Sequence, residues 1–292
     1  MKKTTRFRQL VNAPQLLMLP VAHDGLSALA IAEAGFEAMA VAGYGSSGSL
    51  LGLPDIGLLT ATEMLGHYAR LIARVDLPVM VDIDTGFGDV NNVIRTVREV
   101  ERLGAAALFI EDQTFPKRCG HMAGKSVVPV EDYLPKLRAA LWAREDPDFV
   151  IMARTDAAAV HGLAEAIRRA NLYAAAGADM VFVEAVTTVE DMRTVNASVP
   201  VPSMANMIEG GRTPFLSAAQ LQDVGYALAA YPCASVFTAV RALRAWAGHL
   251  KAHGTSAGFA GPDTMVDFEE YFRFIGAAAM REREKLFFEK GE

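Results

Sequence analysis

The run Lys117-Arg118-Cys119-Gly120-His121 sets three potential cations around one thiol. Positive neighbours lower a thiol pKa and favour the thiolate. Phe115-Pro116 before the run and Gly124 after it mark a loop. A mobile loop over a barrel mouth can serve as a lid that carries an acid/base thiol and excludes water. The alternative is a surface loop with an incidental cysteine. The other cysteine, Cys233, lies in Tyr231-Pro232-Cys233-Ala234 and reads as an inert core thiol.

Carboxylates form the second group. Asp82 and Asp84 are two residues apart, so an ideal strand points them to one side. With Asp55 and Glu111 they could make an all-oxygen site suited to Mg²⁺ or Mn²⁺ rather than Zn²⁺. No HExxH or paired CxxC pattern suggests zinc. The competing reading pairs these acids with Arg154 and other cations, and spacing alone does not choose. Arg154, Glu184 and Asn206 end further apolar runs. A charge there is costly unless it has work or a partner. His23 reads as structural, while His67, His161, His249 and His253 fall on surface patterns. Glu209-Gly210-Gly211-Arg212-Thr213-Pro214 is a glycine-rich loop of the kind that binds anions.

A repeated beat positions these groups. Gly35, Gly104 and Gly177 each follow a helix-like stretch and precede a short apolar run, at separations of 69 and 73 residues. Glycine suits the left-handed position that ends a helix. The apolar runs fit strands buried on both faces. Two βα units per interval give about 35 residues per unit, so eight units fill about 280. Eight strands are expected at Leu16–Ala22, Ala38–Gly43, Pro78–Asp84, Ala106–Asp112, Phe149–Thr155, Met180–Ala185, Val201–Met207 and Ala227–Tyr231. Between them, Val93, Val97 and Val100 make one helical stripe, and Leu163, Ile167, Ala170 and Ala174 another.

This alternation leaves a (β/α)8 barrel or a doubly wound sheet. Gly43-Tyr44-Gly45-Ser46-Ser47-Gly48 has GxGxxG spacing. No acidic residue ends a strand about 20 residues later, and no P-loop Lys-Ser/Thr follows, so the barrel is favoured. A single domain over 1–292 is expected. Its segment 259–292 forms a helical extension, with a helix from Asp263 to Lys290. In a barrel, chemistry belongs at the C-terminal strand ends, where the polar groups above fall.

Composition narrows the class. The 292 residues are 52% hydrophobic, too apolar for a disordered chain. Lys plus Arg number 28 against 34 acids, a net charge of −6 with no basic run, which argues against nucleic acid. Two cysteines cannot form a disulfide scaffold. The N-terminus lacks an apolar signal region, and no run approaches the roughly 18 apolar residues of a membrane span. A cytoplasmic protein is expected.

Asp82-Ile83-Asp84-Thr85-Gly86-Phe87-Gly88, Glu111-Asp112-Gln113, the Lys117–His121 run and Asn206–Pro214 resemble the isocitrate lyase/phosphoenolpyruvate mutase superfamily, in order over roughly Ala13 to Arg244. The Lys-Arg-Cys-Gly-His run is similar to its carbon–carbon lyase branch, including 2-methylisocitrate and dimethylmalate lyases. It is also similar to carboxyphosphonoenolpyruvate mutase and oxaloacetate hydrolase. The resemblance implies a barrel whose terminal helix is exchanged between subunits, in a homotetramer that is a dimer of dimers. It implies Mg²⁺ (or Mn²⁺) held by Asp84, with Asp55, Asp82 and Glu111 around its waters. Backbone groups of Gly43 and Tyr44, with Arg154, would hold the acid end of a small carboxylate substrate. Cys119 would protonate the carbanion left by bond cleavage, with Lys117 and His121 stabilising charge and Gly120 beside them. Glu184 and Asn206 would meet the rest of the substrate.

Two departures bear on the substrate. Ala42-Gly43-Tyr44 stands where 2-methylisocitrate lyases carry Ser-Gly-Gly, and Thr238 takes the place of an arginine. That arginine would hold a further carboxylate by bidentate pairing. An alkylated malate is therefore the preferred substrate over a tricarboxylate. Phosphonomutase, oxaloacetate hydrolase or decarboxylase chemistry on the same site stays open. A non-catalytic barrel is weighed against by the full set Asp82, Asp84, Glu111, Cys119 and Arg154.

Overall fold

The structure, a computed structural model, describes residues 1–288. Its strands are β1 (Leu17–Ala22), β2 (Met39–Val41), β3 (Val79–Asp82), β4 (Ala107–Glu111), β5 (Val150–Thr155), β6 (Met180–Val183), β7 (Met204–Asn206) and β8 (Leu228–Tyr231). All pair in parallel in the order β6-β5-β4-β3-β2-β1-β8-β7. A parallel bridge from Val181 to Ser203 joins the remaining edges. The fold is the expected (β/α)8 barrel, and this closure excludes the doubly wound sheet.

The helices are α1 (Lys3–Val11), α2 (Gly25–Glu33), α3 (Gly43–Leu51), α4 (Ala61–Ile72), α5 (Val90–Arg102), α6 (Val130–Ala143), α7 (Ala157–His161), α8 (Leu163–Ala175), α9 (Val189–Ser198), α10 (Ala218–Val224), α11 (Ala234–His253), α12 (Phe268–Phe274) and α13 (Ala277–Phe288). Strand residues alternate between two layers. Leu19, Met80, Phe109, Met152 and Phe182 fill the barrel. Leu108, Ile110 and Ile151 pack outward against helices. The barrel interior is therefore a core rather than a pore.

Helix α1, which precedes the first unit, buries Phe7 and Val11 in the inner layer. Its Arg8 donates to the carbonyls of Asp148 and Phe149 at the start of β5 (3.3 and 3.2 Å). It thus plugs the N-terminal end of the barrel and leaves the C-terminal mouth for chemistry.

Several local expectations change. The strands are shorter than their apolar runs, most of all β7. Asp84 lies beyond β3 with φ of 47°, so strand alternation does not set its direction relative to Asp82. The glycine-rich run from Gly43 lies within helix α3. Helix α5 buries Val93, Val97 and Val100 as their spacing predicts. Helix α8 instead buries Ala166, Arg169, Ala170 and Tyr173, with Leu163, Ile167 and Ala174 at the edge of the contact. The cause is polar: Arg169 and Tyr173 reach the buried Asp112 carboxylate at 2.9 and 2.8 Å, which turns that face inward.

The chain divides into two compact units, the barrel to Ser235 and a helical unit from Val236. In the second unit the helix expected over Asp263 to Lys290 is two helices, α12 and α13, separated at Ile275–Gly276, where Gly276 takes φ of 82°. Residues 289 and 290 of that expectation lie outside the described residues. None of the residues described in α11, α12 and α13 is buried.

Phe7→Ala should cost about 3–5 kcal/mol of stability, the range for a buried aromatic truncation. A lower urea midpoint with native secondary structure is expected. An unchanged midpoint would show that α1 is not part of the core.

Candidate active site

The sheet register builds the first half of the site. Glu111 and Arg154 are partners across β4 and β5. Arg154 Nε lies 3.1 Å from Glu111 Oε2 and 2.8 Å from Asp156 Oδ2, and its Nη2 lies 3.5 Å from Glu184 Oε2. The guanidinium carbon stands 5.2 Å from the centroid of the Phe182 ring. Burial opposes the guanidinium charge, but the three carboxylates outweigh it and hold the Arg154 pKa well above its usual value. One guanidinium cannot neutralise three acids. Burial accordingly pushes Glu111 well above the carboxylate range, and its Oε1 is buried without a hydrogen-bond partner. For Glu184, burial is outweighed by Arg154 and His121, which hold it below that range.

Lys117 organises the other half. Its Nζ is buried, 2.6 Å from Asp55 Oδ1 and 2.8 Å from Asp84 Oδ1. Asp82 accepts the backbone N–H groups of Asp84 (2.8 Å) and Gly43 (3.1 Å). The Gly43 N–H therefore supports a carboxylate, a different duty from the substrate contact the sequence suggests. A Cβ on Gly43 would lie 3.0 Å from Lys117 Nζ, so glycine makes room for this pair. Burial raises Asp84 to about 7, with Lys117 opposing. Among the described residues, no three acidic, His or Cys side chains form a ready-made metal cluster. Asp55 and Asp84 converge on the lysine instead.

Segment 113–129 carries the Lys117–His121 run. The Gln113 side chain accepts the Arg118 N–H (3.0 Å) and donates to its carbonyl (2.8 Å). The Cys119 N–H donates to the Asp55 carbonyl at 3.1 Å. His121 Nδ1 accepts the Arg212 N–H at 2.9 Å, so Nε2 carries the hydrogen and donates to Glu184 Oε1 at 2.9 Å. Asn206 donates to the other Glu184 oxygen at 3.0 Å. A Cβ on Gly120 would come within 2.6 Å of Arg154 Nη2 and 2.5 Å of Glu184 Cγ, so only glycine permits this approach.

The structure thus brings Asp55, Asp82, Lys117, Cys119, Gly120, Arg154, Glu184 and Asn206 around one cavity of about 60 Å³, with Tyr44 in its wall. Met80, Phe109, Phe182, Met204, Ile208 and Cys233 add an apolar side. Asp84 and Glu111 lie behind this lining, through Lys117 and Arg154.

The environment of Cys119 differs from the sequence expectation. The Lys117 ammonium turns to Asp55 and Asp84, and Arg118 is exposed with its guanidinium near Gly124. Burial pushes the Cys119 thiol up and Glu184 and Asp55 add to this, while a backbone hydrogen bond from His121 and the Arg154 charge only partly oppose it. The thiol is therefore held protonated, as a proton donor needs. Cys233 is buried as expected but is also part of the cavity wall, and burial pushes it up to about 12. His67 is buried rather than on the surface, its Nε2 3.0 Å from the His23 carbonyl oxygen. His23 is structural: its Nδ1 lies 3.0 Å from Ser235 Oγ, while Asp24 caps α2.

Sequence reasoning places Asp112 and Asp156 at strand ends without giving them a role, and it passes over Lys125. The Asp112 signal was its position beside Glu111: adjacent strand residues face opposite layers. Asp112 points outward to Thr155, Arg169 and Tyr173. Lys125 showed no pattern, because its partners are distant in sequence.

The family described as phosphoenolpyruvate phosphomutase matches residues 7–251. The chain belongs to the phosphoenolpyruvate phosphomutase family. Within this metal-dependent superfamily, the chain is 43% identical to 2,3-dimethylmalate lyase of Eubacterium barkeri, over 97% of this chain and 98% of that one. It is 42% identical to 2-methylisocitrate lyase of Bacillus subtilis (strain 168), over 86% and 82% of the two chains. A solved structure of oxaloacetate acetylhydrolase with the inhibitor 3,3-difluorooxalacetate superimposes with a TM-score of 0.92 at 30% identity, over 100% of this chain and 99% of that one.

Alkylation with iodoacetamide, followed residue by residue by mass spectrometry, should be slow for both thiols at pH 8 and accelerate only at higher pH. The thiolate is the reactive form, and burial disfavours it. Modification of Cys119 at pH 7.5 as fast as a free cysteine would contradict this environment.

Proposed function

We propose that this protein is a divalent-metal-dependent carbon–carbon lyase. It cleaves a small 2-hydroxy dicarboxylate, of the alkylated malate class, to an α-keto acid and a carboxylate. The observation that carries the reading is the partly buried Cys119 thiol, set in one cavity with Arg154 and Lys117, where burial favours its protonated form. The dimethylmalate and methylisocitrate lyase relatives support the same class.

The carboxylate surplus and the orphaned Glu111 oxygen suit a hard cation. Mg²⁺ (or Mn²⁺) held by Asp84, with Asp55, Asp82 and Glu111 around it, would supply positive charge to the substrate's oxygens. Arg154 and the Tyr44 backbone, in the first turn of α3, hold the acid end, while the Gly43 N–H beside them supports Asp82. As the C2 hydroxyl gives its proton to one of the carboxylates crowding the site and C2 becomes a carbonyl, the C2–C3 electron pair passes to the departing carbon as an enolate-type carboxylate. Lys117 and Arg154 stabilise its charge. Cys119 delivers a proton to that carbon. His121, fixed between Arg212 and Glu184, keeps Gly120 and the thiol in place, and Glu184 and Asn206 meet the distal part of the substrate.

The smaller substrate is favoured because Thr238 stands where an arginine would pair a further carboxylate. The likeness to oxaloacetate acetylhydrolase favours one second reading, hydrolysis of oxaloacetate at the same site. The unburied helical unit supports a homotetramer built from helix-exchanged dimers. Leu286, Phe287 and Phe288 are 76%, 78% and 83% exposed in the single chain. No helix among the described residues is long and apolar enough to cross a membrane, and we place the enzyme in the cytoplasm.

With Mg²⁺ and a panel of substituted malates, release of pyruvate or glyoxylate is expected from at least one member. No keto acid from the panel, together with oxalate from oxaloacetate, would reject the lyase in favour of the hydrolase. Cys119→Ser should lose roughly 10²–10⁴-fold in kcat, the range for a general acid. Full activity of that variant would remove the thiol from the mechanism.

A further inference from the structure

Lys125 lies outside the residues used above, yet its side chain is only 2% exposed. A buried ammonium is costly without partners. It has two. Its Nζ lies 2.7 Å from Asp156 Oδ1, and it donates to the carbonyl of Gly120. Both join it to the site. Asp156 is the carboxylate that grips Arg154, by Nε at 2.8 Å and Nη2 at 3.2 Å. Gly120 is the residue between Cys119 and His121, and it rests against Arg154 and Glu184.

Asp156 is itself held from behind. Its N–H donates to Asp112 Oδ1 at 3.0 Å. The other Asp112 oxygen accepts Thr155, Arg169 and Tyr173 at 2.7, 2.9 and 2.8 Å. One rigid, fully buried carboxylate therefore faces two cations, one fixed in the barrel wall and one carried by segment 113–129.

We propose that Lys125 is a positioning residue that latches segment 113–129 onto Asp156, so that the thiol of Cys119 is seated only where the Arg154 guanidinium is already in place. The latch binds at the Gly120 carbonyl, the backbone group next to the acid. It also couples lid and substrate site through a shared carboxylate, because Asp156 cannot turn away from Arg154 without releasing Lys125. Without the ammonium, Arg154 keeps Asp156 and Glu111, so the acid end of the substrate still binds. What is lost is the seating of the proton donor.

The inference rests on the lyase reading for its kinetic arm and stands apart from it in its proteolytic arm. In K125M, which keeps an unbranched side chain one atom shorter and removes the charge, kcat should fall roughly 10- to 100-fold, the cost of misplacing a catalytic group. KM should stay within about threefold. K125R, which keeps a cation able to reach Asp156, should recover part of the loss. Without substrate, trypsin should cut after Arg118 about tenfold faster in K125M than in the parent, as local opening becomes easier, at a similar thermal midpoint. If the parent cleaves no substrate in the panel, the lyase reading fails and the trypsin comparison alone decides the latch. An unchanged cleavage rate at Arg118 overturns the proposal. So does an unchanged kcat, or a loss confined to KM. If K125M does not fold, K125Q is measured by the same two readouts and judged by the same outcomes.

Discussion

A surplus of buried negative charge governs this site. Asp55, Asp82, Asp84, Glu111, Asp156 and Glu184 crowd the barrel mouth against the cations Lys117, Lys125 and Arg154. Desolvating six carboxylates beside three cations is unfavourable. The strain shows in the titration of individual groups. Glu111 and Asp84 are pushed upward by burial, while Asp156 and Glu184, which win the cations, are held down. The division is spatial. Arg154 and Lys125 satisfy the acids on the β5 and β6 side, and Lys117 alone faces the three aspartates on the β2 and β3 side. A further positive charge belongs on that second side, where a metal-dependent lyase needs its cation.

The same constraint explains the thiol. In sequence Cys119 sits among Lys117, Arg118 and His121, an arrangement that suggests an activated thiolate. In three dimensions each neighbour has another duty: Lys117 faces Asp55 and Asp84, Arg118 faces solvent, and His121 bridges Arg212 and Glu184. Burial pushes the thiol toward its protonated form, and Glu184 and Asp55 add to this against a backbone hydrogen bond from His121 and the Arg154 charge. An acid, rather than a nucleophile, is what carbanion protonation requires. Burial thus sets the state of Cys119, and the acids add to it, with Asp55 and Asp84 holding the Lys117 ammonium.

The barrel was legible because its signals are local and repeated. The glycines at 35, 104 and 177 and the apolar runs after them mark units without knowledge of tertiary contacts. Polar groups at the ends of those runs located the site for the same reason. Strand ends were overextended, since Val201 and Asp84 continue an apolar run or its register without pairing. Features set by long-range partners escaped: the inward face of α8 depends on Asp112, and the buried state of His67 depends on the His23 carbonyl. Lys125 and Asp156 are 31 residues apart, and no periodicity connects them.

The direct measurement is a titration of Mn²⁺ into the metal-free protein, followed by electron paramagnetic resonance at several pH values. One ion should bind per chain. Because Asp84 must lose the proton that burial holds to about pH 7, affinity should weaken below that point, by about tenfold per pH unit for a single competing proton. No saturable binding, or an affinity that is the same at pH 8 and pH 6, would contradict a cation site built on the surplus of buried carboxylates.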